Sequence, residues 1–149
     1  MPEKRRAPRL LLTVAAGLLA SLFTLRMGET FAALKLPFLF PPVWLLPAGW
    51  AGALLCLASA AGAAGERKIV NAFYVSLGLT VCWAVLFFRL DATLAALVSG
   101  LLLTGVWLHM RRLLGPISPK AKKLMLCCCI WGGYLAYLNA GIWLMGVDR

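Results

Sequence analysis

The sequence predicts an all-α membrane protein, a bundle of five transmembrane helices in a single domain that covers residues 1–149. Hydrophobic residues make up 62% of the chain and charged residues only 13%, about half the share that is usual in soluble domains. Five uncharged runs of 16–30 residues follow one another, and a helix needs roughly 20 residues to cross a hydrocarbon core. Runs of this length argue against barrel strands of about ten residues, so helices must satisfy the backbone groups in lipid.

The predicted spans begin with the least regular one. Its segment, MPEKRRAPRLLLTVAAGLLASLF, has a basic start and an apolar centre, and therefore also fits a secretory signal. No small-residue cleavage site follows promptly, which favours a first span with Arg26 reaching from its end to the interface. Because the later connections are short, spans two to five are expected to be antiparallel neighbours. The predicted spans are residues 10–27, 42–65, 69–88, 92–110 and 124–146.

The net charge of +10 comes from basic residues in the predicted loops. Of the 15 Lys and Arg, eleven fall on the side of the N-terminus and of the second and fourth loops. By the positive-inside rule this side is cytoplasmic and the C-terminus lies outside, and the predicted host is a bacterial cell membrane. The basic loops thus indicate orientation in the lipid bilayer, and nucleic acid is not an expected partner.

Ionisable chemistry is nearly missing from the predicted spans. They hold no Asp, Glu, Lys or Arg apart from Arg26 at one edge, which disfavours ion-coupled transport and hydrolysis. His109 is interpreted as an interfacial residue rather than a haem ligand. The triplet at 127–129 cannot converge on one metal ion, because consecutive helical residues point about 100° apart. Packing is the expected role of these cysteines, with S-acylation as the alternative, and neither a metal nor a required cofactor is expected.

The remaining candidates in the spans are aromatic or mildly polar. Asn139 would be costly in lipid without a partner, so it faces either another helix or a cavity, and both roles stay open. The small residues Gly78 and Cys82 form a candidate homodimer interface. One face of the third span carries two hydroxyls, an indole and a phenyl ring, from Ser76, Thr80, Trp83 and Phe87.

Three motifs, in order and with matching internal spacing, resemble those of the TspO/MBR family, the tryptophan-rich sensory proteins and translocator proteins. The family pattern for the first loop and second helix is L-x-K-P-x-F-x-P-P-x-W-x-x-x-P-x-W, and this chain has Leu34, Pro37, Pro41, Pro42, Trp44 and Trp50 at those places. The third-helix pattern is Q-L-x-L-N-x-x-W-x-x-x-F-F, matched by Leu77, Leu79, Trp83, Phe87 and Phe88. The fifth-helix pattern is W-x-x-F-A-x-x-L-N-x-x-I, matched by Trp131, Tyr134, Leu138, Asn139 and Ile142. The chain departs from the family at two polar pocket positions, where Ser76 replaces a Gln and Thr80 replaces an Asn.

The resemblance implies a membrane receptor, sensor or transporter-like protein that binds a porphyrin, such as protoporphyrin IX or haem, or another flat hydrophobic ligand. The ligand would lie in an aromatic cavity within the bundle, under a lid formed by residues 28–41. Light-dependent porphyrin degradation is proposed for the family, but no general acid or base is present here, so no catalytic residue is predicted. The predicted ligand-binding residues are Trp44, Trp50, Ser76, Thr80, Trp83, Phe87, Trp131, Tyr134, Leu135 and Asn139, and the predicted lid residues are Phe31, Leu34, Pro37, Pro41 and Pro42.

The prolines of the second motif also have a physical explanation. Pro41 and Pro42 are expected where the second helix begins, since its first N–H groups have no partner within the helix. Trp44 is then expected at the membrane interface, with Trp50 about 9 Å deeper. Pro47 is expected to bend the helix and widen a cavity.

Two functions of other classes are open to test. In the first, the chain is a structural or regulatory membrane protein that binds a partner protein, with a degenerate ligand pocket. In the second, it is a small-solute permease, which the missing intramembrane charges and the lack of an inverted repeat disfavour.

Overall fold

The computed structural model describes residues 3–23 and 27–146 of the chain. This part contains six α-helices and no β-strand, so the predicted all-α class is confirmed for the described residues. The helices are α1 (Glu3–Phe23), α2 (Met27–Ala32), α3 (Leu45–Gly62), α4 (Arg67–Phe88), α5 (Thr93–Leu114) and α6 (Pro119–Gly146).

Four helices, α3 to α6, have the length and apolar composition to cross a membrane. The apolar part of α1 is shorter, Pro8–Leu22, and at 1.5 Å per residue it extends for about 22 Å. A hydrocarbon core is roughly 30 Å thick. The predicted end of the first span, with Arg26, lies outside the described residues.

The five long helices form a closed ring in the order α1, α3, α6, α5, α4. α1 packs against both α3 and α4, and these two helices contact each other only weakly. The prediction that the second and third spans are packed neighbours is therefore wrong. Their short connection at 63–66 fixes their opposite directions, but α1 takes the place between them.

The segment before α3 contains an unpredicted helix. α2 occupies Met27–Ala32, so the predicted loop of residues 28–41 is helical over its first third. Glu29 lies in the first turn of α2, where a negative charge interacts favourably with the helix dipole. The irregular part of the segment is therefore limited to residues 33–44.

α3 begins three residues later than predicted, at Leu45. Pro42 precedes the helix, and its carbonyl oxygen accepts a hydrogen bond from the backbone N–H of Leu45 at 2.8 Å. Pro47 is consequently in the first turn of α3, where backbone N–H groups have no helical partner. A proline in the first turn removes no hydrogen bond from the helix interior, so this position gives no reason for the expected bend at Pro47.

α6 begins five residues before the predicted fifth span, at Pro119. Ser118 caps this helix, because its hydroxyl oxygen accepts a hydrogen bond from the N–H of Ala121 at 3.3 Å. Proline suits the first helical position, where its missing N–H costs nothing. The basic residues after it, Lys120, Lys122 and Lys123, are therefore helical.

Buried side chains form two clusters, one toward each end of the helix bundle. The lower cluster, around Leu57, Phe73, Trp107 and Met125, lies where α3 ends and α4 begins. The upper cluster lies where α4 ends and α5 begins, and it contains Phe31, Leu46, Trp83, Ala84, Phe87, Ala96, Leu135, Leu138 and Ile142. Trp50 and Trp131 pack against both clusters and so join them.

Arg9 connects α1 to the end of α3. Its side chain is buried, and its Nη1 donates hydrogen bonds to the carbonyl oxygens of Ala61 and, at 3.0 Å, Ala64. The last carbonyls of a helix have no helical partner and carry partial negative charge, so a guanidinium is stabilising there. Arg9 is therefore a structural contact rather than only one of the basic residues at the N-terminus.

Candidate functional site

A cavity of about 250 Å³ lies in the upper half of the ring, between α1, α3, α4 and α6. Its lining is almost entirely apolar. Six of the predicted ligand-binding residues line it, namely Trp50, Thr80, Trp83, Phe87, Leu135 and Asn139.

Aromatic rings on two helices form one wall of the cavity. The ring centroids of Trp50 on α3 and Trp83 on α4 are 5.2 Å apart. Trp83 and Phe87 are stacked, with centroids 5.4 Å apart and planes 14° from parallel. Such pairs contribute about 0.5–1.5 kcal/mol each beyond the area that they bury. These contacts hold the wall in place and leave flat ring surface beside the cavity.

Phe31 and Phe40 close the upper end of the cavity. Their ring centroids are 4.8 Å apart in an edge-to-face arrangement, and Phe31 also contacts the rings of Phe87 and Phe88 at 5.9 Å. Phe31 belongs to α2, and Phe40 lies just before α3. The segment that connects α1 to α3 therefore covers the aromatic wall.

The other predicted lid residues hold this segment against the helices. Leu34 packs on the upper cluster and Pro41 is buried, whereas Pro42 is exposed. Pro37 is buried against Gly141 of α6, so closely that a Cβ on the glycine would lie 2.8 Å from the proline ring. A side chain at position 141 would thus push the segment away from α6.

The few polar groups at the cavity bond within their own helices. The hydroxyl of Thr80 donates to the carbonyl oxygen of Ser76 at 2.9 Å, and Nδ2 of Asn139 donates to that of Leu135 at 2.9 Å. Both are bonds from residue i to residue i−4, which satisfy a buried side chain without joining helices. The Asn139 bond therefore does not link α6 to another helix.

Trp83 carries a buried polar atom without a partner. Its Nε1 makes no hydrogen bond among the described residues. This edge of the indole faces α5, since a Cβ built on Gly100 would lie 3.8 Å from both Trp83 Nε1 and Asn139 Nδ2. Gly100 thus lets the indole and the carboxamide approach the α5 backbone together.

Four predicted ligand-binding residues lie away from the cavity. Trp44 precedes α3 and is 69% exposed. Ser76 is fully buried, and its hydroxyl donates to the carbonyl oxygen of Ala72 at 2.8 Å. Trp131 packs on the backbone of α3 at Gly49. The hydroxyl of Tyr134 donates to the carbonyl oxygen of Leu39 at 2.8 Å.

The contribution of α1 to the cavity was not predicted from the sequence. This helix lines the cavity, although its uniformly apolar sequence gives no signal for one face. The other missed residues lie beside predicted ones at helical spacing, a signal that would have found Leu46 and Leu54 from Trp50. The missed lining residues are Gly17, Leu18, Ala20, Ser21, Leu46, Pro47, Ala51, Leu54, Ala84, Phe88, Leu138 and Ile142.

The predicted dimer residues and the cysteines lie outside the cavity. Gly78 and Cys82 are both exposed on α4, and nothing lies within 4 Å of a Cβ built on Gly78. The Cys128 thiol donates to the carbonyl oxygen of Ala53 at 3.3 Å, and the thiols of Cys56 and Cys127 contact each other between α3 and α6. Residues 3–23 and 27–146 contain no group of three or more His, Cys, Asp or Glu side chains arranged to hold a metal ion.

Most of the chain is similar in sequence to known proteins. The sequence profile of the TspO/MBR family matches residues 9–144. The chain is also 30% identical to "Tryptophan-rich protein TspO" of Archaeoglobus fulgidus, over 91% of this chain and 93% of that protein.

Proposed function

Since the chain belongs to the TspO/MBR family, we propose that it is a TspO-type membrane sensor or transporter whose upper cavity binds a flat hydrophobic ligand of the porphyrin class. Ligand binding is the step that a sensor and a transporter share. The observation that carries the proposal is the wall formed by Trp50, Trp83 and Phe87, because flat rings bind by stacking on such surfaces and by burial of apolar area. Protoporphyrin IX and haem are the first ligands to test.

We propose further that all five long helices cross the bilayer. α1 is a member of the closed ring, and the side chains of Leu11, Leu19 and Leu22 are exposed on it, as expected for a surface in contact with lipid. The charge of Arg9 is compensated by the carbonyl oxygens of Ala61 in α3 and of Ala64 just after it, at one end of the apolar stretch. A short span of this kind is accommodated by local thinning of the bilayer or by snorkelling of flanking residues.

The proposed orientation places the N-terminus in the cytoplasm and the C-terminus outside a bacterial cell membrane. The start of α1, the first turn of α4, the end of α5 and the start of α6 carry most of the basic residues, and they flank the connections at 63–66 and 115–118. In a five-span chain these segments share one side, and an excess of Lys and Arg favours the cytoplasm. Residues 28–44 and the cavity beneath them would then be near the outer face.

Titration of the purified protein in detergent with protoporphyrin IX, followed by the absorbance of the porphyrin, tests the proposed function. The parent is expected to bind one porphyrin per chain, and Trp50→Ala is expected to weaken binding at least about tenfold, or 1.4 kcal/mol. Trp44→Ala is the matched control, because this tryptophan is exposed and lies outside the cavity. Equal affinity of Trp50→Ala and the parent would reject this cavity, and no binding by the parent would reject the function.

A second candidate is a structural or regulatory membrane protein that acts through a partner protein. It is favoured by the hydroxyls of Ser76 and Thr80, which replace amide side chains in the family pattern and bond to their own helix. These hydroxyls offer no free donor to a ligand. Recovery of a stoichiometric partner that binds the basic helix ends, together with no porphyrin binding, would select this function.

A further inference from the structure

A second cavity of about 670 Å³ lies beside the first at the upper end of the ring. It is formed by the segment from α2 to Lys35, the turn between α4 and α5, and the last turn of α6. Phe87 and Ile142 line both cavities, so the two spaces share a wall. Nothing in the proposed function uses the second cavity.

The two cavities differ in chemistry. The first is lined almost entirely by apolar atoms, whereas the second has a substantial polar surface that includes Lys35, Asp91 and Thr93. Lys35 and Asp91 are exposed side chains at its rim. An ammonium group there offers hydrogen-bond donors and positive charge to an anion, and the carboxylate of Asp91 opposes the same anion.

The volume of the first cavity also limits what it can enclose. At about 250 Å³ it is smaller than the roughly 300–1,000 Å³ of pockets that bury most of a drug-sized ligand. A ring system as large as a porphyrin must therefore extend beyond it. The second cavity is the neighbouring space, and a ring that extends into it must displace the side chains of Phe87 and Ile142, which lie between the two cavities.

We infer that the two cavities together bind one amphiphilic ligand, a flat hydrophobic ring system that carries a carboxylate. The ring contacts the aromatic wall of the first cavity, and the carboxylate lies in the second cavity near Lys35. This inference rests on the proposed function and specifies its ligand class. A propionate-bearing porphyrin has this chemistry, and a neutral ring or a neutral sterol does not.

The test compares protoporphyrin IX with its dimethyl ester, which has the same ring and no carboxylate. Lys35→Met is expected to weaken binding of the diacid about three- to fivefold, as for an exposed ion pair, and to leave binding of the ester unchanged. Asp91→Asn is expected to strengthen binding of the diacid. Asn suits position 91, where the backbone φ of 49° lies in the left-handed region that Asn and Asp tolerate.

Lys120→Met is the matched control, since Lys120 is exposed at the start of α6, away from the second cavity. It should bind both porphyrins as the parent does. Oleate, which carries the carboxylate on a flexible chain, is used as a competitor and is expected to displace the diacid poorly. If oleate displaces bound protoporphyrin IX at concentrations as low as those at which protoporphyrin IX itself binds, the requirement for a flat ring is overturned.

The outcomes separate this inference from the proposed function. If the parent binds both porphyrins and Lys35→Met changes neither affinity, or both equally, the carboxylate site is overturned and the function stands. If the parent binds neither porphyrin, the function and the inference fail together. A loss confined to the diacid, with the opposite effect of Asp91→Asn, supports both.

Discussion

The hydroxyl of Tyr134 on α6 donates a hydrogen bond to the backbone carbonyl oxygen of Leu39, with 2.8 Å between the two oxygen atoms. The two residues are 95 positions apart in the chain, so this bond joins the segment before α3 to the last long helix. Pro37 packs on Gly141 two helical turns further along α6. These contacts hold Phe40 over the cavity, so the segment is a lid. Removal of the Tyr134 hydroxyl oxygen would remove one of the contacts that keep it closed.

Tyr134→Phe is expected to loosen the lid without disturbing the helices. One hydrogen bond of this kind contributes about 0.5–1.5 kcal/mol, so amides in residues 35–40 should exchange with deuterium about two- to tenfold faster. Tyr137→Phe, one turn away on the exposed side of α6, is the control and should exchange as the parent does. Equal exchange rates in the two variants would show that the Tyr134 hydroxyl does not restrain the segment.

Gly49→Ala is expected to destabilise the bundle. A Cβ at position 49 would overlap the indole ring of Trp131, and helices in lipid associate through close packing because lipid tails are as apolar as the side chains. Overpacking of this kind costs about 1–3 kcal/mol, measured as thermal unfolding in detergent. Gly52→Ala lies one turn further along α3 with nothing within 4 Å, and it should be neutral or stabilising by up to about 1 kcal/mol. The same unfolding temperature for both variants would contradict the contact between Gly49 and Trp131.

Loss of the Arg9 guanidinium is expected to detach α1 from the end of α3. Hydrogen bonds from a charged donor contribute about 1.5–3 kcal/mol, so Arg9→Met should lower the free energy of unfolding by roughly that amount. Lys123→Met removes an exposed basic residue from the start of α6 and should change stability little. If the two variants unfold alike, the bonds to Ala61 and Ala64 contribute nothing to stability.

Sequence patterns predicted the bounds of a helix well where the uncharged run and the helix begin and end at nearly the same residues. The α4 boundaries were close, since its charged residues mark both the membrane edge and the helix end. α6 started earlier than predicted because Lys120 and Lys122 follow a serine cap and a proline that begin a helix before the apolar run starts. Charged residues indicate where the membrane-embedded part of a helix ends, whereas capping residues indicate where the hydrogen-bonded helix itself begins or ends.

The order of helices around the ring was less accessible to sequence. A short connection requires antiparallel directions, but it does not decide which helix packs alongside, and α1 took the position between α3 and α4. The same limit applies to the cavity. Trp83 and Phe87 were predicted from helical spacing and Trp50 from the family resemblance, whereas Trp131 lies outside the cavity because Gly49 opens a slot for its ring in α3. The fit between a large ring on one helix and a glycine on another depends on both surfaces, so it cannot be predicted from either sequence segment alone.

Asn139→Leu distinguishes a ligand contact from a structural role at the cavity. Asn139 is 2% exposed, lines the cavity, and donates only within α6, so a leucine, which has the same number of side-chain heavy atoms and the same branching, loses no bond between helices. The free energy of unfolding is therefore expected to change by less than about 1 kcal/mol, because both the buried polar group and its local bond disappear together. If the carboxamide contacts the bound porphyrin, affinity should fall about two- to tenfold in the absorbance titration. Asn71→Leu, at an exposed site near the start of α4, is the control for the substitution of asparagine by leucine. A large loss of stability with unchanged affinity would instead assign Asn139 to packing of the bundle.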